Sequence, residues 1–249
     1  MSVRARSPRA DRVEVKRTRN GRALRINGTF ASWYQPGTAI TDSVWDALAA
    51  PLLLLPPARR RQLLILGLGG GSAARVARAL APRARITGVE LDPQVVRAAR
   101  RWFDLDELGV EVVRGDALHY LERTRRRFDA ILEDIFIGSR RSIRKPDWLP
   151  SPGLALAARR LRAGGILASN ALDEAAAVTR EMRGLFGSTL RIDIDDYDNR
   201  IVVGAGFPLS GRDLRSALQQ SPVFGPTSSR FAIRASRSGR SARGGRSRR

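Results

Sequence analysis

From residue 62 onward, short apolar runs alternate with segments whose apolar positions recur at helical spacing. The runs at 63–66, 85–90, 110–113 and 129–133 have the length of buried strands, too short for core helices. Between them, 72–80, 93–102 and a short stretch from Ala117 read as amphipathic helices, the second with proline in its first turn. A helix near 154–161 leads through Ala163-Gly164-Gly165 into a strand at 166–168. A helix at 174–185 follows, and 190–194 with 200–203 read as an antiparallel pair joined through 195–199. Strands alternating with helices predict a parallel sheet covered on both faces. Upstream, Asn20-Gly21 and Asn27-Gly28 each sit between β-prone residues. Both positions of such a pair tolerate positive φ, so two hairpin turns and a three-stranded meander are expected at 12–40. A helix at 42–50 is ended by Pro51 and the Pro56-Pro57 pair.

Composition narrows the chemistry. The 249 residues contain no cysteine and a single histidine, His119. Disulfides, thiolate metal sites, Fe–S clusters, cysteine nucleophiles and multi-histidine metal centres are thereby excluded. The longest apolar stretch, 48–58, is broken by three prolines and is far short of the ~20 residues of a membrane span. No secretory h-region follows the basic N-terminus, so a cytoplasmic protein without membrane association is expected. The net charge is +21, with 45 basic against 24 acidic side chains. Residues 1–25 carry a net +7 and residues 230–249 a net +8. The Arg, Ser and Gly of 230–249 show no hydrophobic period, so a disordered tail is expected, as is a basic disordered N-terminus at 1–11. Such a tail can bind nucleic acid through phosphate contacts. Only two basic residues, Lys16 and Lys145, are lysine, and this arginine excess also fits the coding bias of a GC-rich genome.

The most informative stretch is the strand, glycine turn and helix start at 63–72. Gly67, Gly69 and Gly71 allow backbone amides to approach a ligand at the head of a helix. Glu90 closes the second strand 19 residues after Gly71, where a carboxylate can accept from both ribose hydroxyls of a nucleoside. Asp116, after the third strand, is placed to accept from an adenine amino group. A dinucleotide fingerprint beginning at Gly67 would need glycine at position 72, which is Ser72. The spacing favours an adenosyl-sulfonium ligand.

With these motifs the span from about residue 21 to 204 resembles the spermidine synthase-like branch of the adenosylmethionine-dependent transferases. The matching stretches are ILGLGGGS, GVELDP, RGDAL, FDAILEDIF and LRAGGILASN, with the N-terminal meander. The resemblance implies a Rossmann-like class I transferase fold, a mostly parallel seven-stranded sheet with its last strand antiparallel. It implies S-adenosylmethionine, or its decarboxylated form, as the bound nucleoside, held by the glycine loop, Glu90 and Asp116. It also implies that Asp134, at the fourth strand end, lines the reaction cleft. The chain departs from the family at the polyamine side. Spermidine synthases carry an acid after the three glycines, where Ser72 stands. They carry D-S-S-D after the fourth strand, where this chain reads Asp134-Ile135-Phe136-Ile137, without the second aspartate that serves as base. The acidic pair and Tyr-Gln-Glu-like segment upstream are replaced by Thr41-Asp42-Ser43-Val44-Trp45-Asp46.

A polyamine needs a carboxylate-lined cleft, whereas residues 138–145 form a basic loop expected over the cleft mouth. An anionic or neutral acceptor, a nucleic acid, or an ordinary solvated loop all fit that loop. Glu133 reads as a structural ion-pair partner and Asp134 as the group facing the cleft, since adjacent strand residues point to opposite faces. His119 reads as a surface residue. Asp195, Asp196 and Asp198 read as a polar turn, since the spacing lacks an EF-hand's glycine and terminal glutamate. All four tryptophans, Trp33, Trp45, Trp102 and Trp148, read as core or interface anchors, and Trp45 and Trp148 can also flank an acceptor pocket.

The expected organisation is therefore a meander at 12–40, a nucleoside-binding domain at 41–207, an extension at 208–229 and the tail at 230–249. The function expected is methyl transfer to an unidentified small-molecule acceptor. Aminopropyl transfer in polyamine synthesis and a non-catalytic protein binding nucleic acid or an acidic partner are the alternatives. The sequence leaves open a homodimer through the N-terminal strands.

Overall fold

The computed structural model describes residues 12–236. The segment 1–11 and the tail from 237 onward, both expected to be disordered, lie outside the described residues. The meander is present as β1 (Val13–Arg17), β2 (Arg22–Ile26) and β3 (Thr29–Tyr34), paired antiparallel in that order. Asn27 and Gly28 have φ of 50° and 79° and connect the Ile26–Thr29 pair, forming the expected two-residue turn. The first turn differs. Arg17 pairs with Arg22, so residues 18–21 form a four-residue loop closed by a 2.8 Å bond from the Thr18 amide to the Gly21 carbonyl. Gly21 is required there by close approach, since a Cβ would collide with the Tyr34 carbonyl and the Trp33 ring.

The main domain runs α1 (Val44–Ala49), β4 (Gln62–Leu66), α2 (Ser72–Leu80), β5 (Arg85–Glu90), α3 (Pro93–Trp102), β6 (Val110–Arg114), α4 (Ala117–Arg123) and β7 (Phe128–Glu133). It continues with α5 (Gly153–Arg159), β8 (Leu161–Ala171), α6 (Ala175–Leu185), β9 (Ser188–Ile194), β10 (Arg200–Ala205), α7 (Gly211–Gln220) and β11 (Phe231–Ser236). One sheet holds eight strands in the order β11-β9-β10-β8-β7-β4-β5-β6. Strands β8, β7, β4, β5 and β6 are parallel, and β10 is inserted antiparallel between β8 and β9.

Two expectations are corrected here. The sheet has eight strands rather than seven, because residues 231–236 of the expected tail form β11 against β9. Phe231 and Ile233 are buried while Ala232 and Arg234 are exposed, the period-two alternation of a half-buried strand. Second, β8 begins at Leu161 instead of after Gly165. Its pairing with β7 shifts between Phe128–Leu161 and Ala130–Ile166, and Gly164, at a φ of 72°, lies within this irregularity.

The alternation along each central strand sorts the core into two layers. Leu63 and Ile65 face α1, α2 and α7, whereas Leu64 and Leu66 face α4, α5 and α6. A third cluster joins Leu24 and Tyr34 of the meander to Val95 and Phe103 at α3. The chain winds outward from β4 through β5 to β6, then returns to β7 on the other side of β4. This reversal of strand order opens a crevice at the C-terminal strand ends.

Candidate active site

A cleft of about 690 Å³ occupies that crevice. Gly67, Gly69, Glu90, Asp116 and Asp134 all line it; Gly71 does not. Gly67 follows β4 with a φ of 82°, and a Cβ there would stand 2.6 Å from the Asp134 carbonyl oxygen, so conformation and contact both demand glycine. Gly71, at φ 89°, caps α2 behind the cleft and faces Leu105 and Leu108.

The glycine loop uses its own amides. Gly67 and Leu68 donate to the Val89 carbonyl at 3.1 Å, and Gly71 to Leu68 at 3.0 Å. Gly69 donates to Glu90 Oε2 at 2.8 Å, and Gly70 to Ser32 Oγ at 2.6 Å. Ser72 Oγ accepts from the Trp33 amide and donates to its carbonyl, both at 2.8 Å, tying the start of α2 to β3. Five successive amides that the sequence offered to a ligand are thus bonded within the protein. A pyrophosphate would need such amides free; an uncharged nucleoside does not.

Glu90 stands at the end of β5, its Oε1 accepting from the Asp92 amide at 3.1 Å. Burial pushes its carboxyl upward, against the amide hydrogen bonds that stabilise the ionised form. Leu91, 65% exposed, also lines the cleft and offers an apolar platform next to Glu90. Asp116 caps α4, with Oδ1 accepting from the His119 amide at 2.9 Å. His119 itself is exposed and does not line the cleft.

Asp134 follows β7, and its amide is fixed to the Leu66 carbonyl at 2.8 Å. Its Oδ2 accepts from Trp45 Nε1 at 2.8 Å and its Oδ1 from Asn170 Nδ2 at 2.7 Å. Asn199 Nδ2 in turn donates to Asn170 Oδ1 at 2.9 Å. The carboxyl opens to the cleft but is enclosed by protein elsewhere, and this desolvation raises its pKa to about 6. The Asn170, Lys145 and Trp45 contributions pull in the opposite direction. Asn170, Asn199 and Tyr197 line the cleft and were not singled out from sequence. Asn170 closes the LRAGGILASN motif, the one signal that could have marked it; Tyr197 and Asn199 reach the site only because β9 and β10 turn back beside β8.

Glu133 points away from the cleft, as the strand alternation requires. Its Oε1 lies 2.6 Å from Lys145 Nζ, both side chains being 1% exposed. The partner is thus a lysine and not one of the many arginines. Lys145 also donates to the Ile135 carbonyl at 3.0 Å, and its amide donates to Glu174 at 2.7 Å. This corrects the picture of a basic loop over the cleft mouth. Lys145 is buried, Arg144 pairs with Asp147 at 2.7 Å, and Arg140 and Arg141 do not line the cleft. The loop instead presents Ile137, Ile143 and Pro146 to it.

The upstream acids also lie elsewhere. Asp46 Oδ1 accepts from the Thr41 amide and hydroxyl at 2.9 and 2.8 Å, and burial raises its carboxyl to about 6. Asp42 pairs with Arg230 at 3.3 Å, and Arg230 also approaches Asp196 at 3.5 Å. Among the described residues no cluster of three or more acidic or histidine side chains could hold a metal ion. No helix of the described part is long and apolar enough to cross a membrane.

Comparison with known proteins agrees with this architecture. A methyltransferase domain model matches residues 63–165. The chain superposes with a TM-score of 0.72 on a probable spermidine synthase from Corynebacterium glutamicum, at 22% identity, covering 92% of this chain and 91% of that one. It is 29% identical over 225 residues to a probable polyamine aminopropyl transferase of Bifidobacterium longum, covering 85% of this chain and 48% of the relative. Over 75 residues it is 40% identical to the eEF1A lysine and N-terminal methyltransferase homolog of Drosophila melanogaster, covering 28% of this chain and 11% of that protein. The chain therefore spans a tenth to a half of the length of these curated relatives. The superposition shows that this chain shares the Rossmann-like fold of these solved structures, and the domain match places a methyltransferase-like domain over residues 63–165.

Proposed function

We propose that this protein transfers the methyl group of adenosylmethionine to a small-molecule acceptor held beside Asp134. Three features of the cleft support a nucleoside ligand. Glu90 offers carboxylate oxygens to ribose hydroxyls, Leu91 and Ala117 offer apolar surface to a base, and Asp116 stands at the base edge. The engaged amides of the glycine loop argue against a dinucleotide, whose phosphates would require them. When bound, adenosylmethionine supplies a carbon already attached to a good leaving group. The chain's own residues then need chiefly to align the acceptor and exclude water. Trp45 and Asn170 fix the Asp134 carboxylate, which accepts the acceptor's proton.

The observation that carries methyl over aminopropyl transfer is the charge of the acceptor half. Beyond the nucleoside-side acids Glu90, Asp92 and Asp116, the sole carboxylate lining the cleft among the described residues is Asp134. Glu133 is committed to Lys145, and Asp42 and Asp46 do not line the cleft. A polyamine would lose its hydration there with too little negative charge to offset the loss. Aminopropyl transfer remains the second reading because the Bifidobacterium relative carries that name. Isothermal titration calorimetry separates the two. Adenosylmethionine is expected to bind more tightly than its decarboxylated form. Preference for the decarboxylated form would restore aminopropyl transfer, and silence with both would overturn the enzyme reading.

A further inference from the structure

The acceptor half of the cleft has a chemistry of its own. Phe30, Trp45, Phe136, Trp148 and Tyr197 bring five aromatic side chains to it, from four separate parts of the chain. Phe30 and Trp45 meet edge to face at 5.2 Å. Ile137 and Ile143 line the cleft as well, and Ile137 is 40% exposed. The loop carrying them is anchored at both ends. Ile137 and Arg144 exchange backbone hydrogen bonds of 2.8 and 3.0 Å, and Asn27 of the meander donates to the Gly138 carbonyl at 3.2 Å. Beneath, Lys145 locks the loop to Glu133. The apolar mouth is thus held in place by the protein before any ligand arrives.

We propose that the acceptor is an uncharged, planar aromatic compound bearing a hydroxyl group, stacked between these rings with the hydroxyl directed at Asp134. The inference rests on the methyl-transfer reading above. Aromatic walls suit a flat apolar partner, and the single carboxylate of this half, Asp134, offsets too little of a polyamine's several charges for their lost hydration. Asp134 is the one group there able to take up a proton, so the nucleophile must carry one to give. The hydroxyl oxygen forms a bond to the methyl carbon as the carbon–sulfur bond breaks. The breaking bond's electron pair returns to sulfur, leaving the neutral thioether, and the hydroxyl proton passes to the Asp134 carboxylate.

Calorimetry on the full chain tests this in stages. Adenosylhomocysteine is titrated first, and its failure to bind overturns the methyl-transfer reading together with this one. With the protein saturated in adenosylhomocysteine, naphthol and spermidine are titrated separately. Naphthol is expected to bind at least about tenfold more tightly. With adenosylmethionine in place of the thioether, mass spectrometry should find methoxynaphthalene and adenosylhomocysteine in equal amounts. The Ile137→Asp variant, changed at an exposed position, should weaken naphthol about tenfold or more while retaining adenosylhomocysteine. Preference for spermidine, or no binding of either compound to the loaded protein, overturns the acceptor class and leaves the cofactor reading standing. Naphthol affinity unchanged by Ile137→Asp would place the compound outside the cleft, and would equally overturn the assignment.

Discussion

Glu90 holds two tasks on one carboxyl group: its oxygens secure the Gly69 and Asp92 amides, and the same group faces the cleft. A glutamine there keeps one acceptor oxygen and turns a donor toward the other amide. Glu90→Gln is therefore expected to weaken adenosylmethionine binding by about 1.5–3 kcal/mol, the usual range for a hydrogen bond to a charged group, measured by calorimetry. Asp134 makes a different prediction. Its pKa is raised to about 6, so it is protonated below that pH and ionised above it. As proton acceptor it works only when ionised. The rate should thus climb about tenfold per pH unit up to about 6 and then level off. Asp134→Asn should remove this limb as well as most of the activity, which a pH–rate profile of both proteins would test. Glu90, Asp116 and Asp134 were legible because each ends a strand inside a recognisable motif. Trp45 as the partner of Asp134 was not, since 89 residues separate them and only the folded sheet brings the pair within 2.8 Å.

Strand β11 shows how an element hides in a biased sequence. Its alternation of Phe231 and Ile233 with Ala232 and Arg234 is the ordinary strand signal, but six residues flanked by serine and arginine were absorbed into the reading of a tail. The central strands were legible because continuous apolar runs need no knowledge of their neighbours. Whether an edge strand pairs depends on an open edge to receive it, which β9 supplies far away in sequence. The energetic consequence is measurable. Phe231 and Ile233 are 6% and 9% exposed, and burying each contributes about 1.5–3 kcal/mol. Phe231 also meets Phe224 edge to face at 5.5 Å. A chain ending at Arg230 should therefore be less stable than one ending at Ser236 by about 3–6 kcal/mol in urea unfolding. The longer of the two is the correct variant for asking what the remaining arginines bind, because the shorter also dismantles a sheet edge.

At the scale of the molecule, the charge and the cleft are separate systems. Among the described residues, every one lining the cleft falls between Ile26 and Asn199. Nine arginines and one aspartate lie outside residues 12–236, which retain a net charge of +13. A catalytic protein and a polyanion-binding protein thus make opposite demands on the same truncation. If the cleft carries the function, a chain of residues 12–236 should bind adenosylmethionine with the affinity of the full chain. That affinity should change much less with salt than a polyanion's, because apolar surface and the short-range contacts of the partly buried Glu90 are weakly screened. Any association with single-stranded nucleic acid should behave differently, weakening steeply with salt. Its log–log slope should become shallower by about 0.7 for each phosphate contact that the trimmed arginines had made. Calorimetry of the cofactor and a salt titration of nucleic-acid binding, run on both chains, read the two systems independently. Loss of adenosylmethionine binding on trimming would mean that the ends contribute to the cleft. Retention of cofactor binding with loss of nucleic-acid binding would assign the transferase to the sheet and the polyanion affinity to the termini.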